Sequence, residues 1–134
     1  MTAFTWPVRI YWEDTDAGGV VYHANYVRFM ERARTEWLRA QGIDQLALSE
    51  TSGLGFVVRD MQLDFHRPAR LDDELAVSVI VKERRSASML FGQEIVRGGT
   101  TLVRATVRAA CVNLATMRPV QIPVGLFPDD NLNS

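Results

Sequence analysis

Two hydrophobic periods divide the chain. Val8, Ile10 and Trp12 alternate with Arg9, Tyr11 and Glu13, the two-residue rhythm of a strand with one apolar face. From Tyr26 the rhythm changes. Tyr26, Phe29, Met30, Ala33, Trp37 and Ala40 recur at three- and four-residue spacing, while Arg28, Glu31, Arg32, Thr35, Glu36 and Arg39 fill the other side. Asn25 offers an N-cap and Gly42 a left-handed stop, so a helix of about 16 residues is predicted. The charge pairs Glu31/Arg34 and Arg32/Glu36 sit at helical spacing on its polar face.

A helical or irregular stretch follows through Leu46 and Leu48, then a Gly-containing turn from Ser52 to Gly55. Beyond it the two-residue period returns. Met61, Leu63 and Phe65 make one inward row; Leu75, Val77, Val79 and Val81 make the next; Met89, Phe91 and Ile95 mark another. Arg67 to Asp73 breaks the pattern as a loop, and Gly98-Gly99 supplies the positive φ of a hairpin turn before Val103, Ala105, Val107, Ala109 and Cys111. Pro119, Pro123 and Pro128 make the tail irregular from about residue 118.

Strand, long helix, then four strands joined by short turns is an α+β order. An antiparallel sheet of about five strands wrapped around one central helix buries both apolar faces at once, as a single domain over residues 1–134. The two edge strands of such a sheet need covering or pairing, which points to self-association.

Fifteen basic against sixteen acidic side chains leave a net charge of −1, so no broad pull toward nucleic acid is expected. The single cysteine, Cys111, can form no internal disulfide. The first residues lack a basic and apolar leader, and no apolar run reaches the roughly 18 residues of a membrane span. A cytoplasmic location without membrane insertion is the expectation.

Candidate chemistry concentrates between the first strand and the helix. Glu13-Asp14-Thr15-Asp16-Ala17-Gly18-Gly19 gathers carboxylates and a Gly-Gly bend just ahead of His23. A helix N-terminus holds N–H groups without intrahelical partners, which can stabilise negative charge. Asp16 can attack a carbonyl lying there or activate a water; equally, it can hydrogen-bond its own turn before Gly18-Gly19. Asp14 reads as the cap of the Thr15–Gly18 turn. The main-chain N–H at His23 or a neighbour is a candidate oxyanion hole, and the His23 imidazole a candidate to orient substrate or water. Asp14, Asp16, His23 and His66 match no established metal-ligand spacing, so no metal and no cofactor are expected. His66 reads as a loop-positioning residue; Cys111, Trp12 and Trp37 read as core. Glu31 reads as a solvated charge or as a wall of an acyl pocket. Lys82-Glu83-Arg84-Arg85-Ser86 reads as a solvated turn or a phosphate grip.

With these residues assembled, the chain resembles a hotdog-fold acyl-CoA thioesterase of the 4-hydroxybenzoyl-CoA thioesterase class, in its Tol-Pal-associated (YbgC-like) branch. The resemblance rests on Tyr11 to Tyr26 (YWEDTDAGGVVYHANY) and Phe29 to Glu36 (FMERARTE). A second block runs from Phe56-Val57-Val58-Arg59 to Pro68-Ala69-Arg70-Leu71-Asp72-Asp73. It extends from Trp6 to about Pro123. It implies that Asp16 is the catalytic aspartate, that His23 assists it, and that the N–H at the start of the central helix forms the oxyanion hole. It further implies dimers or paired dimers with active sites at subunit interfaces. Arg84 and Arg85 fall where some relatives contact CoA phosphates. The substrate so implied is a short-chain or aromatic acyl-CoA, CoA being part of the substrate, or an acyl thioester of acyl carrier protein.

Three other readings compete. A dehydratase of the same fold would use His23 with a partner's carboxylate. An aspartyl-phosphate phosphatase would use Asp14-Thr15-Asp16 but needs a parallel sheet with several crossover helices, and only one strong helix is visible. A binding module for acyl carrier protein or an envelope-associated complex would need no chemistry.

Overall fold

The computed structural model describes residues 3–128. Strand β1 (Phe4–Arg9) leads through a 3-10 turn at Trp12–Asp14 to the long helix α1 (His23–Ala40). A short helix α2 (Gln45–Ser52) follows, and then β2 (Leu54–Phe65), β3 (Glu74–Arg84), β4 (Ser88–Arg97), β5 (Thr100–Asn113) and the two-residue β6 (Arg118–Pro119). The pairings are antiparallel and the order across the sheet is β1-β3-β4-β5-β2, with β6 added beside the end of β5. This is the expected sheet around one dominant helix, with a sixth short strand in the tail.

The sheet curls because its ladders slip. β2 shifts register between Val58 and Asp60 against β5, and β3 shifts between Val81 and Glu83 against β4. Each extra residue sharpens the local twist and bends the strand. The predicted turn at Gly98-Gly99 is present, both residues having positive φ (53° and 87°).

The inner face of the sheet and the apolar stripe of α1 share one core. Phe29, Met30 and Ala33 of the helix are fully buried, together with Val77, Ile95, Val103, Val107 and Cys111 of the strands. Such closure removes about 1.5–3 kcal/mol worth of apolar surface from water for each large side chain. The tail contributes too: Phe127 is buried against Trp37 and Phe56, with ring centroids at 5.7 and 6.4 Å.

Four expectations change. Trp12 is 78% exposed and belongs to the 3-10 turn rather than to the strand, which ends at Arg9. The phase reverses because the Asp14 carboxylate accepts the Tyr11 N–H (2.8 Å) and turns the backbone there, so Asp14 caps this turn and not the following one. The helix begins at His23, two residues before the expected cap, with Tyr22 in extended conformation and no side-chain cap. Phe65, expected inward, is 53% exposed at the end of β2.

Candidate active site

The turn carrying Asp16 is built almost wholly from its own main chain. The Asp16 N–H donates to the Val20 carbonyl (2.9 Å), and the Gly19 N–H donates back to the Asp16 carbonyl (3.0 Å). Gly19 takes φ +80°, a value that costs a side chain but not glycine. The Gly18 N–H donates to Asp16 Oδ1 (2.8 Å), so the self-bonded turn aspartate read from sequence is present. It does not consume the carboxylate: Asp16 is exposed, and one bond to one oxygen leaves most of its lone-pair capacity open.

Main-chain bonds tie this turn to the start of α1. The Tyr22 N–H and the Asn25 side-chain amide both donate to the Asp14 carbonyl, each at 2.9 Å. The N–H groups of His23 and Ala24, in the first helical turn, have no intrahelical acceptor by position. The helix therefore presents partial positive charge at the place where the Asp16 turn is fastened.

The loop after β2 closes the other side. The Val21 N–H donates to the Ala69 carbonyl and the Ala69 N–H to the Tyr26 hydroxyl, both at 2.9 Å. Arg97 fixes the loop from β4, bonding Asp73 at 2.7 Å and the Pro68 carbonyl at 3.3 Å. Burial holds the Tyr26 hydroxyl above its ordinary range, against the pull of the Ala69 N–H and Arg97; the charges of Asp73 and Asp16 add to the rise. A cleft of about 270 Å³ lies here, lined by His23, Tyr26, Phe65, His66, Arg67 and Pro68 among others. His23 is exposed on its rim, its ring 4.6 Å from that of Tyr22.

A second cavity of about 270 Å³ runs beside α1, toward β2. Val27, Glu31, Arg34, Thr35 and Leu38 supply its helical wall, and Phe56, Val57, Val58 and Met61 its β2 wall. Those helical positions recur at three- and four-residue intervals, one continuous stripe below His23. Glu31 is exposed at this cavity. Arg34, whose spacing from Glu31 predicts a surface ion pair, is instead buried at 8% exposure.

The structure thus brings Asp16 and His23 to one end of α1 and puts Glu31 along its flank. It does not bring Arg84 and Arg85 to them. Arg84 stacks over Phe127 (4.7 Å to the ring centroid) beside Trp37 and Gln41, and Arg85 pairs with Glu83. Within one chain that is the far end of a helix of 18 residues, about 27 Å long. Among the described residues no three His, Cys, Asp or Glu side chains converge as a metal ion would require. No helix there is long and apolar enough to cross a membrane.

Residues 10–129 match the model of the thioesterase-like superfamily. Over 120 residues the chain is 50% identical to the acyl-CoA thioesterase YbgC of Haemophilus influenzae, covering 90% of this chain and 88% of that one. The chain belongs to the YbgC-like acyl-CoA thioesterases. The acyl-CoA thioester hydrolase YbgC of Shigella flexneri is 49% identical over 129 residues, 96% of each chain. A probable thioesterase from Bartonella henselae superposes with a TM-score of 0.86 at 37% identity, covering 91% of this chain and all of that one. The hotdog fold and thioester hydrolase activity expected from the sequence are therefore those of this enzyme, with a curled antiparallel sheet as their scaffold.

Proposed function

We propose that this thioesterase hydrolyses its substrate at the junction of the Asp16 turn and the α1 N-terminus. The thioester carbonyl lies over the first helical turn, where the N–H groups of His23 and Ala24 polarise its oxygen and hold the charge of the tetrahedral intermediate. Asp16 delivers the new oxygen, by direct attack or through a water that it deprotonates. The C–S bond breaks and the thiolate leaves with a proton; where a water attacked, the acid is released directly, and where Asp16 attacked, water hydrolyses the resulting acyl–Asp16 anhydride to the acid and the free carboxylate. His23 orients the substrate or the water from the cleft rim. The observation that carries this reading is the fastening of the Asp16 turn to the helix start through the Asp14 carbonyl.

The groove below His23 supports an acyl group of modest size. Its 270 Å³ equals about nine water volumes, room for a short chain or a single aromatic ring. Glu31 stands on its wall. The thiol carrier is CoA; acyl carrier protein is a second carrier to test. β2 is a 12-residue edge strand with exposed Val58 and Phe65, which favours pairing with a second copy into a homodimer or homotetramer.

The test is thiol release from a panel of short-chain, long-chain and aromatic acyl-CoAs and acyl carrier proteins, comparing wild type with Asp16→Asn. A loss of a hundredfold or more in turnover is expected, the scale of a general acid–base or nucleophilic group. Near-wild-type turnover in a folded Asp16→Asn protein would remove Asp16 from the reaction. Single turnover in heavy-oxygen water tests direct attack, since label in the Asp16 side chain requires an acyl–Asp16 anhydride that water opens at the Asp16 carbon. Light scattering reads the oligomeric state.

A further inference from the structure

Asn25 stands in the third position of α1, where an asparagine weakens a helix unless its amide is used. It is 6% exposed, and its amide is used at both ends. Oδ1 accepts from Arg28 Nη1 (3.3 Å), which turns the amide so that Nδ2 faces back out of the helix to the Asp14 carbonyl (2.9 Å). That carbonyl also accepts the Tyr22 N–H at 2.9 Å, so both its lone pairs are taken by the start of α1. Asp16 lies two residues further on. The intervening backbone has little freedom, because Asp16 is locked to Val20 and Gly19 by its own main-chain bonds.

We propose that Asn25 is the positioning residue of this site: through the Asp14 carbonyl it sets the Asp16 carboxylate against the N–H groups at the helix start. This rests on the reaction proposed above. Asn25 touches no substrate in this scheme and acts through Asp16 alone. The Asp14–Thr15 peptide is held on its N–H side by the Trp12 carbonyl (3.1 Å) and on its carbonyl side by the Tyr22 N–H; the Asn25 amide is the second, side-chain donor on that carbonyl and ties it to the body of the helix. A displacement of about 1 Å between a reacting group and its electrophile costs on the order of a hundredfold in rate, so the effect of losing it belongs in turnover and not in substrate binding.

The experiment uses the full chain and two variants. Asn25→Ala deletes the donor, and Asn25→Asp keeps the shape while setting an acceptor oxygen against the Asp14 carbonyl. Thermal unfolding of each identifies the temperature at which it is folded, and kinetics are taken below it. The expected result is a fall in kcat of about a hundredfold with KM within about twofold. In the Asp16→Asn background, adding Asn25→Ala costs almost nothing further, since the group it places is already gone. Losses that multiply in the double variant, or a kcat within about twofold of wild type in either single variant, would overturn the proposal.

Amide exchange supplies a readout that needs no turnover. The Asp16 and Gly19 N–H groups should exchange faster in both single variants than in wild type, while the core of β5 is unchanged. If wild type hydrolyses nothing in the panel, the reaction proposed above fails by itself. Unchanged exchange at Asp16 and Gly19 would then overturn the role of Asn25 as well, and faster exchange would uphold its hold on the turn.

Discussion

The guanidinium of Arg34 donates to the side-chain carbonyl of Gln93 across 2.9 Å, in the interior between α1 and β4. Gln93, 1% exposed, passes its own amide to the Met30 carbonyl (3.1 Å). No carboxylate among the described residues lies within ion-pair distance of Arg34. Burial pulls its pKa down and the charge of Glu31 opposes that pull. Gln93 is thus the neutral partner of a buried charge. Removing it alone is the costly change: Gln93→Leu should destabilise the protein by roughly 3 kcal/mol in urea unfolding, as expected when a buried charge loses its partner. Replacing both, Arg34→Met with Gln93→Leu, should recover most of that loss, because the desolvated charge goes too.

Tyr26 makes a similar test with one bond. Its hydroxyl accepts the N–H of Ala69, a residue with no exposed surface. Tyr26→Phe leaves that N–H without an acceptor and should cost about 1–3 kcal/mol. Faster exchange of the Ala69 and Val21 amides would place the loss at the loop over the helix start. An unchanged unfolding midpoint would mean that water replaces the hydroxyl.

The third prediction concerns acid. Partial burial by itself raises the Asp73 carboxyl, but the Arg70 N–H and Arg97 outweigh it and hold the group below its ordinary range. A carboxyl lowered by folding contributes stability above its unfolded pKa, about 3.9, and loses that contribution as pH falls through the lower folded value. Wild type should therefore lose stability as pH falls from about 4. Asp73→Asn should be less stable near neutrality and should show a shallower acid limb when unfolding is followed against pH.

Much of this arrangement is legible in the sequence. The helix stripe from Tyr26 to Ala40, the Gly98-Gly99 turn and the strand rows around Val77 and Val107 follow from periodicity, because one face of each had to be dry. The turn at Asp16 was legible as well, both as a self-bonded loop and as a carboxylate ahead of a helix.

The rest depended on contacts across the chain. Trp12 continues an alternation that the backbone abandons once Asp14 caps a 3-10 turn, and a single side-chain hydrogen bond leaves no periodic trace. Asn25 suggested a cap because asparagine favours caps; the helix had already begun, and the amide serves a carbonyl eleven residues away. Arg34 stood at ion-pair spacing from Glu31, which hid that its partner is Gln93 on β4. Arg84 and Arg85 could be placed only once α1 had a length and a direction.

Cys111 sits at the centre of the inner sheet face with no exposed surface, and burial pushes its thiol above the ordinary range. It is the single cysteine of the chain. Thiol reagents react with thiolates, and this sulfur is both protonated and walled in. The folded enzyme is therefore chemically silent toward them. In the hydrolysis of a thioester, every equivalent of reagent consumed then counts one product molecule, and a signal from the protein itself would mark unfolding.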